Sequence, residues 1–369
     1  VNTDERSLAW AFLSHVAQGP SPALSALIDA VGPVEAARAI REKELPTPLR
    51  EAALQRGRED RSVEHLDAIT RCGGRLVTPD DPDWPAFRFL AFGGGASSAP
   101  PIALWVRGSA SVSDLCDRSI AVVGTRAPSA YGRYVTAEIV SGVAAAGWTI
   151  VSGGAFGIDA AAHRVALAEG SITVAVVACG VDLPYPAAHA QLLDEVARSG
   201  LVISEYAPGV SAAKQRFLER NRLIAALSEV TVVVEAGHRS GARNTVKWAR
   251  RLGRQALAVP GSVESATSVG CHSMIRQGEA SLVTSAHDVL AAAAPMHLPF
   301  GDSSDREPDE VAVAAALPTR GAGVDVERIA QRSGVDAARV RAILPRLELQ
   351  GEARVSGLRW RRAKQAEAS

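Results

Sequence analysis

Between Ser119 and Leu290, short apolar runs alternate with helix-length segments seven times, and this alternation restricts the fold more than any other feature. The pattern predicts strands at 119–124, 148–152, 172–179, 201–205, 229–235, 255–259 and 281–284. It predicts helices at 130–146, 157–169, 188–199, 216–227, 241–252, 267–277 and 286–293. Strands that are apolar throughout rather than alternating need cover on both faces, and the intervening helices provide it. The expected core is a Rossmann-like α/β unit built on a parallel sheet.

Several of these strands run directly into turns rich in Gly, Arg or Asn. SIAVVGTR ends in Arg126, and WTIVSGGAFGIDAAAH carries Ser152, Gly153, Gly154 and Gly157 into a helix. A third stretch, EAGHRSGARNTVK, places Ser240, Gly241 and Thr245 at a strand-to-helix turn, with Lys247 on the helix that follows. Glycines let a ligand approach the bare backbone, and a helix N-terminus presents positive potential, so these turns predict phosphate sites at the carboxyl edge of the sheet. Taken alone, each is equally a tight strand–helix connection, or a simple N-cap at Ser240. Arg126 and the Arg220-Asn221-Arg222 string beside neighbouring strands favour the phosphate reading. The spacing is not GxGxxG, and no acidic residue is placed to hold a dinucleotide ribose. NAD and other cofactors are therefore not expected.

The segment Lys214-Gln-Arg-Phe217-Leu-Glu-Arg220-Asn221-Arg222 sets one aromatic among four cations. Cations that track phosphates, together with a ring face on which a base can stack, are what single-strand binding requires. Phe217 is also compatible with a core position and the arginines with carboxylate partners. His163, four residues after Asp159 on the same helical face, suggests either an acid–base pair or a structural tie; the structural tie is the expectation, and no catalytic residue is assigned.

The chain has 369 residues, zero formal charge and 47% hydrophobic residues. That length fits two or three domains, and the charge balance as a whole does not mark a nucleic-acid binder. The distribution is more telling. From Arg320 to Ser369 there are eleven Arg or Lys against six Asp or Glu, whereas the whole chain has only four lysines, Lys214 among them. Cys72, Cys116, Cys179 and Cys271 are far apart and form no CxxC pair, so neither a disulfide framework nor a zinc site is indicated, and no metal is expected. The longest apolar run, Ile172 to Val181, falls well short of the ~20 residues that cross a bilayer. A cytoplasmic protein without a membrane partner is expected.

Residues 1–72 read as a helical module punctuated by Pro20, Pro22, Gly32, Pro33, Pro46 and Pro48. It is SAM-like or a degenerate helix-hairpin-helix, since its turns lack paired glycines that would grip a phosphate. Residues 73–294 form the core, entered through IALWVRG, which reads as an edge strand. Residues 295–308 read as a linker. Residues 309–369 read as three short helices and a basic hairpin, a winged-helix-like arrangement. The expected recognition helix, about Asp336 to Leu347, carries Arg339, Arg341 and Arg346, and the hairpin adds Arg354, Arg359, Arg361 and Arg362.

Taken together, these strings resemble the DNA-processing protein A (DprA, or Smf) family. The carriers are Val123–Arg126 (VGTR), Ser152–His163 (SGGAFGIDAAAH), Phe217–Ser228 (FLERNRLIAALS), Glu235–Thr245 and Val259–Gly261 (VPG), spread in order over roughly Leu76 to Leu290. The resemblance implies a homodimeric extended Rossmann fold that binds single-stranded DNA in a basic pocket and loads the RecA recombinase onto it, in transformation or recombination, without enzymatic activity. By position it implies a pocket arginine at Arg126, a lysine at Lys214 and a base-contacting aromatic at Phe217. Backbone donors would come from the loop Ser152 to Gly157, and the RNR string would shape the pocket from a helix start. A dimer surface is implied around Ser268 to Leu290. Where many members carry G-x-N-x-L-I-x-x-G-A, this chain has Gly270 to Glu279 (GCHSMIRQGE), so contacts made there by Asn elsewhere do not carry over.

Two rival readings remain at this point. One is a nucleotide phosphoribohydrolase-type enzyme on a related fold, although the position of its catalytic Glu is here Glu235-Ala-Gly-His without the accompanying PGGxGT loop. The other is a duplex-DNA regulator acting through the C-terminal domain.

Overall fold

Val, Ile and Ala runs with no polar face become the centre of a nine-stranded sheet in the computed structural model, which describes residues 4–43, 59–93, 99–238, 240–294, 308–318, 323–349, 352–356 and 359–362. The strands are β1 (Gly74–Val77), β2 (Leu104–Arg107), β3 (Ser119–Val123), β4 (Thr149–Ser152), β5 (Thr173–Val176), β6 (Leu201–Ser204), β7 (Val230–Val233), β8 (Gln255–Ala258) and β9 (Ser281–Leu282). Their order is β1-β2-β6-β5-β4-β3-β7-β8-β9. From β6 to β9 every pairing is parallel, with Ile120 opposite Ile150 on one side and Val230 on the other. All residues of β3 to β7 are buried, as strands covered on both faces must be.

The seven strands predicted from the sequence are all present in this parallel array, as are the seven helices: α7 (Ala130–Ala145), α8 (Ile158–Ala168), α9 (Ala190–Ser199), α10 (Lys214–Ala226), α11 (Ala242–Arg251), α12 (Val269–Arg276) and α13 (Ala286–Ala293). Val135, Ile139 and Val143 of α7, Ile158 and Ala162 of α8 and Val289 of α13 pack on one face of the sheet. Leu223 and Ala226 of α10, Val246 and Ala249 of α11 and Met274 of α12 pack on the other. The chain leaves β6 at one side of the array and re-enters at β7 beside β3, so the strand order reverses between β3 and β7. In open α/β sheets the crevice at that reversal, outside the carboxyl ends of the strands, is where ligands sit.

Two expectations need correcting. IALWVRG is not an edge strand, because β2 lies between β1 and β6 and is antiparallel to both; the edge is β1. The Arg220-Asn221-Arg222 string is not at a helix start either. The helix begins at Lys214, which places the string at the end of its second turn and the start of its third.

Of the N-terminal helices α1 (Glu5–Ala17), α2 (Pro22–Val31), α3 (Pro33–Arg41) and α4 (Ser62–Arg71), α2 and α3 start where the punctuation predicts, each with Pro in the first turn. The charged stretch EAALQRGREDRSVEHLDAI reads from the sequence as one helix; its first eight residues lie outside the described residues, and of the rest only Ser62 onward is helical. Trp10, Phe12, Leu13, Leu24, Ile28, Ala36 and Ile40 form a cluster that Ile102 of the core joins. Three contacts tie this module to the sheet. Trp105 Nε1 donates to Ser14 Oγ (2.9 Å), Trp10 Nε1 donates to Asp80 (2.6 Å), and Arg6 grips the same carboxylate (2.7 Å). Two short helices, α5 (Ala86–Phe89) and α6 (Val112–Asp117), flank β2, and residues 1–293 form one compact unit.

Residues 294–369 form the second unit. The linker expected at 295–308 lies, apart from Pro308, outside the described residues. Helices α14 (Pro308–Ala316), α15 (Val326–Ser333) and α16 (Ala337–Leu349) enclose Val313, Leu317, Ile329, Val340, Ile343, Leu344 and Leu347. The hairpin of β10 (Ala353–Ser356) and β11 (Arg359–Arg362) contributes Ala353 and Trp360 to the same core. A bridge between Val324 and Trp360 extends the hairpin into the small sheet of a winged helix.

Candidate nucleic-acid interface

Three strand ends and the first turns of α10 and α11 surround a cleft of about 840 Å³ at the strand-order reversal. Of the residues anticipated from the sequence, Arg126, Lys214, Phe217, Arg220, Asn221, Ser240, Gly241 and Thr245 line it, together with Gly124, Thr125, Asp159, Tyr185 and Gly237. Arg126 follows β3 and is exposed, with Cζ 5.5 Å from the centroid of the Phe217 ring. Lys214 is exposed in the first turn of α10. These two cations and the partly buried Phe217 ring are the groups through which the cleft can address an anion and a base.

The other cations of the string do internal work. Arg220 is buried under the glycine loop, where Nη1 donates to the Gly153 carbonyl (2.7 Å) and to the Val176 carbonyl of β5. Asp159 is buried on the other side of Gly153 and accepts from its N–H (3.2 Å). A Cβ at Gly153 would stand 2.5 Å from Arg220 Nη1 and 2.7 Å from Asp159 Oδ2, so only glycine fits between the two. Burial favours the neutral forms, pushing Asp159 up and Arg220 down, while each charge works against the shift of the other. Asn221 Nδ2 donates to Asn244 Oδ1 (3.2 Å) and reaches the Gly241 carbonyl (3.5 Å), fixing the second turn against α10.

Arg222 does not line the cleft. It is fully buried, ion-paired with Glu205 at the end of β6, and its guanidinium lies 5.1 Å from the Phe92 ring centroid. It holds α10 on the sheet and makes no part of the ligand surface. Arg216 likewise turns away, onto the Tyr206 ring (5.3 Å) and Gln18 Oε1 (3.2 Å) of the N-terminal module.

The glycine loop is also more structural than the motif suggests. Ser152 is buried and its hydroxyl donates to the Val122 carbonyl (2.6 Å). Gly157 has φ +87°, and a Cβ there would stand 2.2 Å from the Thr125 carbonyl oxygen, so this glycine lets the β4–α8 turn lie against the Arg126 backbone. Gly154 has φ +67°, and its carbonyl accepts from His189 Nδ1 (3.0 Å). Lys247 is exposed on α11 and is not among the cleft residues; its charge helps hold the Glu279 carboxyl below the ordinary range, where Arg243 supplies the main contact. Glu235 is buried. Its carboxylate accepts from Ser129 N (2.9 Å), Ser129 Oγ (2.6 Å) and Thr267 Oγ1 (2.8 Å), tying the start of α7 to the segment before α12. The hydrolase reading needs this group to be open, and here it is a structural knot.

His163 does not bond Asp159. The Thr173 hydroxyl donates to the Ile150 carbonyl (2.9 Å) and accepts from His163 Nδ1 (2.8 Å), and burial pushes the imidazole down to about 3. The folded form therefore holds His163 neutral while the unfolded chain titrates near 6.5. Stability from this residue is full above that value and is lost as pH falls from about 6.5 towards 3, by up to about 1.4 kcal/mol per pH unit. Chemical denaturation of His163→Asn across this interval is expected to give a shallower pH slope than that of the parent. Equal slopes would show that the proton uptake lies elsewhere. The buried thiols are inert by the same physics, Cys116 and Cys271 pushed up to about 12 and Cys179 to about 11 by desolvation.

In the second unit the arginines of α16 are engaged. Arg341 pairs with Glu327 (2.7 Å), Arg346 with Glu310 (3.2 Å) and Arg339 with Asp309 (3.6 Å). Arg354, Arg359, Arg361 and Arg362 of the hairpin are exposed. The expected recognition helix is thus charge-compensated on its own domain, and the wing carries the open basic face.

Fold and site together define a Rossmann-like α/β protein with a cationic, aromatic-edged cleft at its switch point and a winged helix appended. Residues 75–294 match the family described as DNA recombination-mediator protein A, and residues 299–356 match the DprA winged helix domain. The chain belongs to the DNA-processing protein A (DprA/Smf) family. It is 46% identical to the putative DNA processing protein DprA of Mycobacterium tuberculosis over 374 residues, covering 97% of this chain and 95% of that protein. It is 42% identical over 191 residues to the DprA of Streptococcus pneumoniae, covering 52% of this chain and 66% of that protein. The X-ray structure of the S. pneumoniae DprA superposes with a TM-score of 0.63 at 31% identity, over 77% of this chain and 97% of that one. Among the described residues no helix is long and apolar enough to cross a membrane, and no group of His, Cys, Asp or Glu is placed to hold a metal ion.

Proposed function

We propose that this chain is a recombination mediator that binds single-stranded DNA in the switch-point cleft and loads RecA recombinase onto it, acting as a homodimer and without catalysis. The observation that carries this reading is the pairing of Arg126 and Lys214, both exposed, with the Phe217 ring in one cleft. Such a site addresses a flexible strand, whose phosphates and base faces are presented together; in a duplex the faces are stacked away. The dimer surface is assigned to Ser268–Leu290, where Val269 and Leu282 expose 39% and 53% of their surface beside the short edge strand β9. Membership of a recombination-mediator family supports delivery to RecA as the outcome of binding.

Binding of fluorescent oligonucleotides tests the reading. The chain is expected to prefer single strand to duplex, with affinity falling as salt rises. Tighter binding to duplex that survives replacement of the wing arginines would sink it. Replacing Arg354, Arg359 and Arg361 by Ala is expected to remove duplex binding and spare most single-strand affinity. A strand pre-bound by the chain is expected to accelerate RecA assembly, read as DNA-dependent ATP hydrolysis; no acceleration would remove RecA from the proposal.

A further inference from the structure

Beside the main cleft lies a smaller cavity of about 120 Å³, which shares Arg126, Ala155, Tyr185 and Phe217 with it and is closed by Phe156 and Pro186. Phe217 is crowded on two sides. The Arg126 guanidinium lies 5.5 Å from its centroid and the Tyr185 ring 5.2 Å away at 45°. Further open ring surface here belongs to Tyr185 and Phe156, which expose 46% and 47% of their area. Single exposed aromatics are ordinary on a protein surface. Two that converge on one slot whose rim carries an exposed arginine are not explained by packing.

Both rings are also held in place. Phe156 packs edge-on against His189 (4.6 Å, 64°), and His189 in turn donates from Nδ1 to the Gly154 carbonyl, so the ring is fixed to the glycine loop. Tyr185 is fixed by Phe217 and precedes Pro186 in the slot wall. Ordering such rings on binding loses little rotamer freedom.

We propose that Tyr185 and Phe156 form a second base-stacking platform, so that the protein holds two neighbouring nucleobases of one strand, one in each cavity, with the phosphate joining them on Arg126. The chemistry is that of a phosphodiester. A phosphate links two nucleosides, and the cation that would neutralise it stands where the two cavities meet. This inference rests on the cleft being a single-strand site and adds a second base position to it.

The test uses the full chain and a series of oligothymidylates shortened one nucleotide at a time. Tyr185→Leu and Phe156→Leu are each expected to weaken binding to the longer strands by roughly 5- to 150-fold, with the salt dependence unchanged, because stacking and not phosphate contact is lost. Tyr185→Phe and Phe156→Tyr keep a ring and are expected to bind as the parent does, which separates lost stacking from a disturbed fold. A fluorescent adenine analogue placed along the strand should be quenched at two adjacent positions in the parent and at one in the leucine variants. Parent-like binding and quenching by the leucine variants would overturn the second platform while leaving the cleft reading intact. Loss shared equally by the ring-retaining variants, or accompanied by a smaller salt slope, would overturn it as well. Failure of the parent itself to bind any oligomer would overturn the cleft reading, and this inference with it.

Discussion

Glu205→Ala is expected to lower the stability of the first unit by about 3–5 kcal/mol, because it strands the Arg222 guanidinium in a core from which water is excluded. Arg222 is fully buried and Glu205 is 3% exposed. Beyond the bond they share, Glu205 Oε2 and Arg222 Nε and Nη1 find no hydrogen-bond partner among the described residues. The pair is under-satisfied, and burial pushes the Glu205 carboxyl upward even with the guanidinium beside it. The corollary is that replacing both partners costs far less than replacing one. The double variant Glu205→Leu with Arg222→Met is expected to recover most of the loss, and to leave single-strand affinity near the parent value because neither residue touches the cleft. Urea denaturation followed by tryptophan fluorescence reads the cycle. Additive single and double losses would show that the pair is not coupled.

Arg126→Ala combined with Lys214→Ala is expected to weaken single-strand binding by roughly 10²- to 10⁴-fold at moderate salt, since a charge-assisted contact is worth about 1.5–3 kcal/mol and two are removed. The salt dependence discriminates. Each phosphate no longer neutralised should reduce the slope of log affinity against log salt by about 0.7, so the double variant should lose about 1.4. Phe217→Ala should instead cost ~1–3 kcal/mol with the slope almost unchanged. Retention of the full slope by the double variant would place the phosphates elsewhere. A lowered melting temperature in Phe217→Ala, with binding restored on cooling, would make the ring a packing residue.

Strands β3 to β7 were legible because apolar runs covered on both faces leave no alternation to confuse, and β3 and β4 run directly into Gly124 and Gly153. β1 was not. Its four residues, Gly74 to Val77, carry no periodic signal of their own and become a strand only through pairing with β2, some thirty residues further along the chain. The start of α10 was misplaced because Ala213 caps it without a side-chain hydrogen bond and its first two turns, Lys214 to Arg220, are mostly polar. Arg220 and Arg222 could not be told from ligand contacts by sequence, since the residues that neutralise or accept from them, Glu205 and the carbonyls of Gly153 and Val176, come from other strands. Tyr185 sits in a proline-flanked loop after β5, and only the folded chain brings it to Phe217.

The antiparallel β1–β2 pair has a bearing on how proteins of this design can be rearranged. β6 would be the margin of the parallel array, with unpaired amides along Val202 and Ile203, had β2 not added to it and carried Trp105 to Ser14 of the first helix. The joint between helical module and core is thus a shared piece of sheet and not a tether. Cutting between β2 and β3, so that the ribbon left with the helical module, would bare that β-edge and invite self-association. A foreign N-terminal cassette could be grafted here only if the β1–β2 ribbon stayed with the core, so the natural breakpoint for shuffling lies upstream of Gly74, at the end of α4.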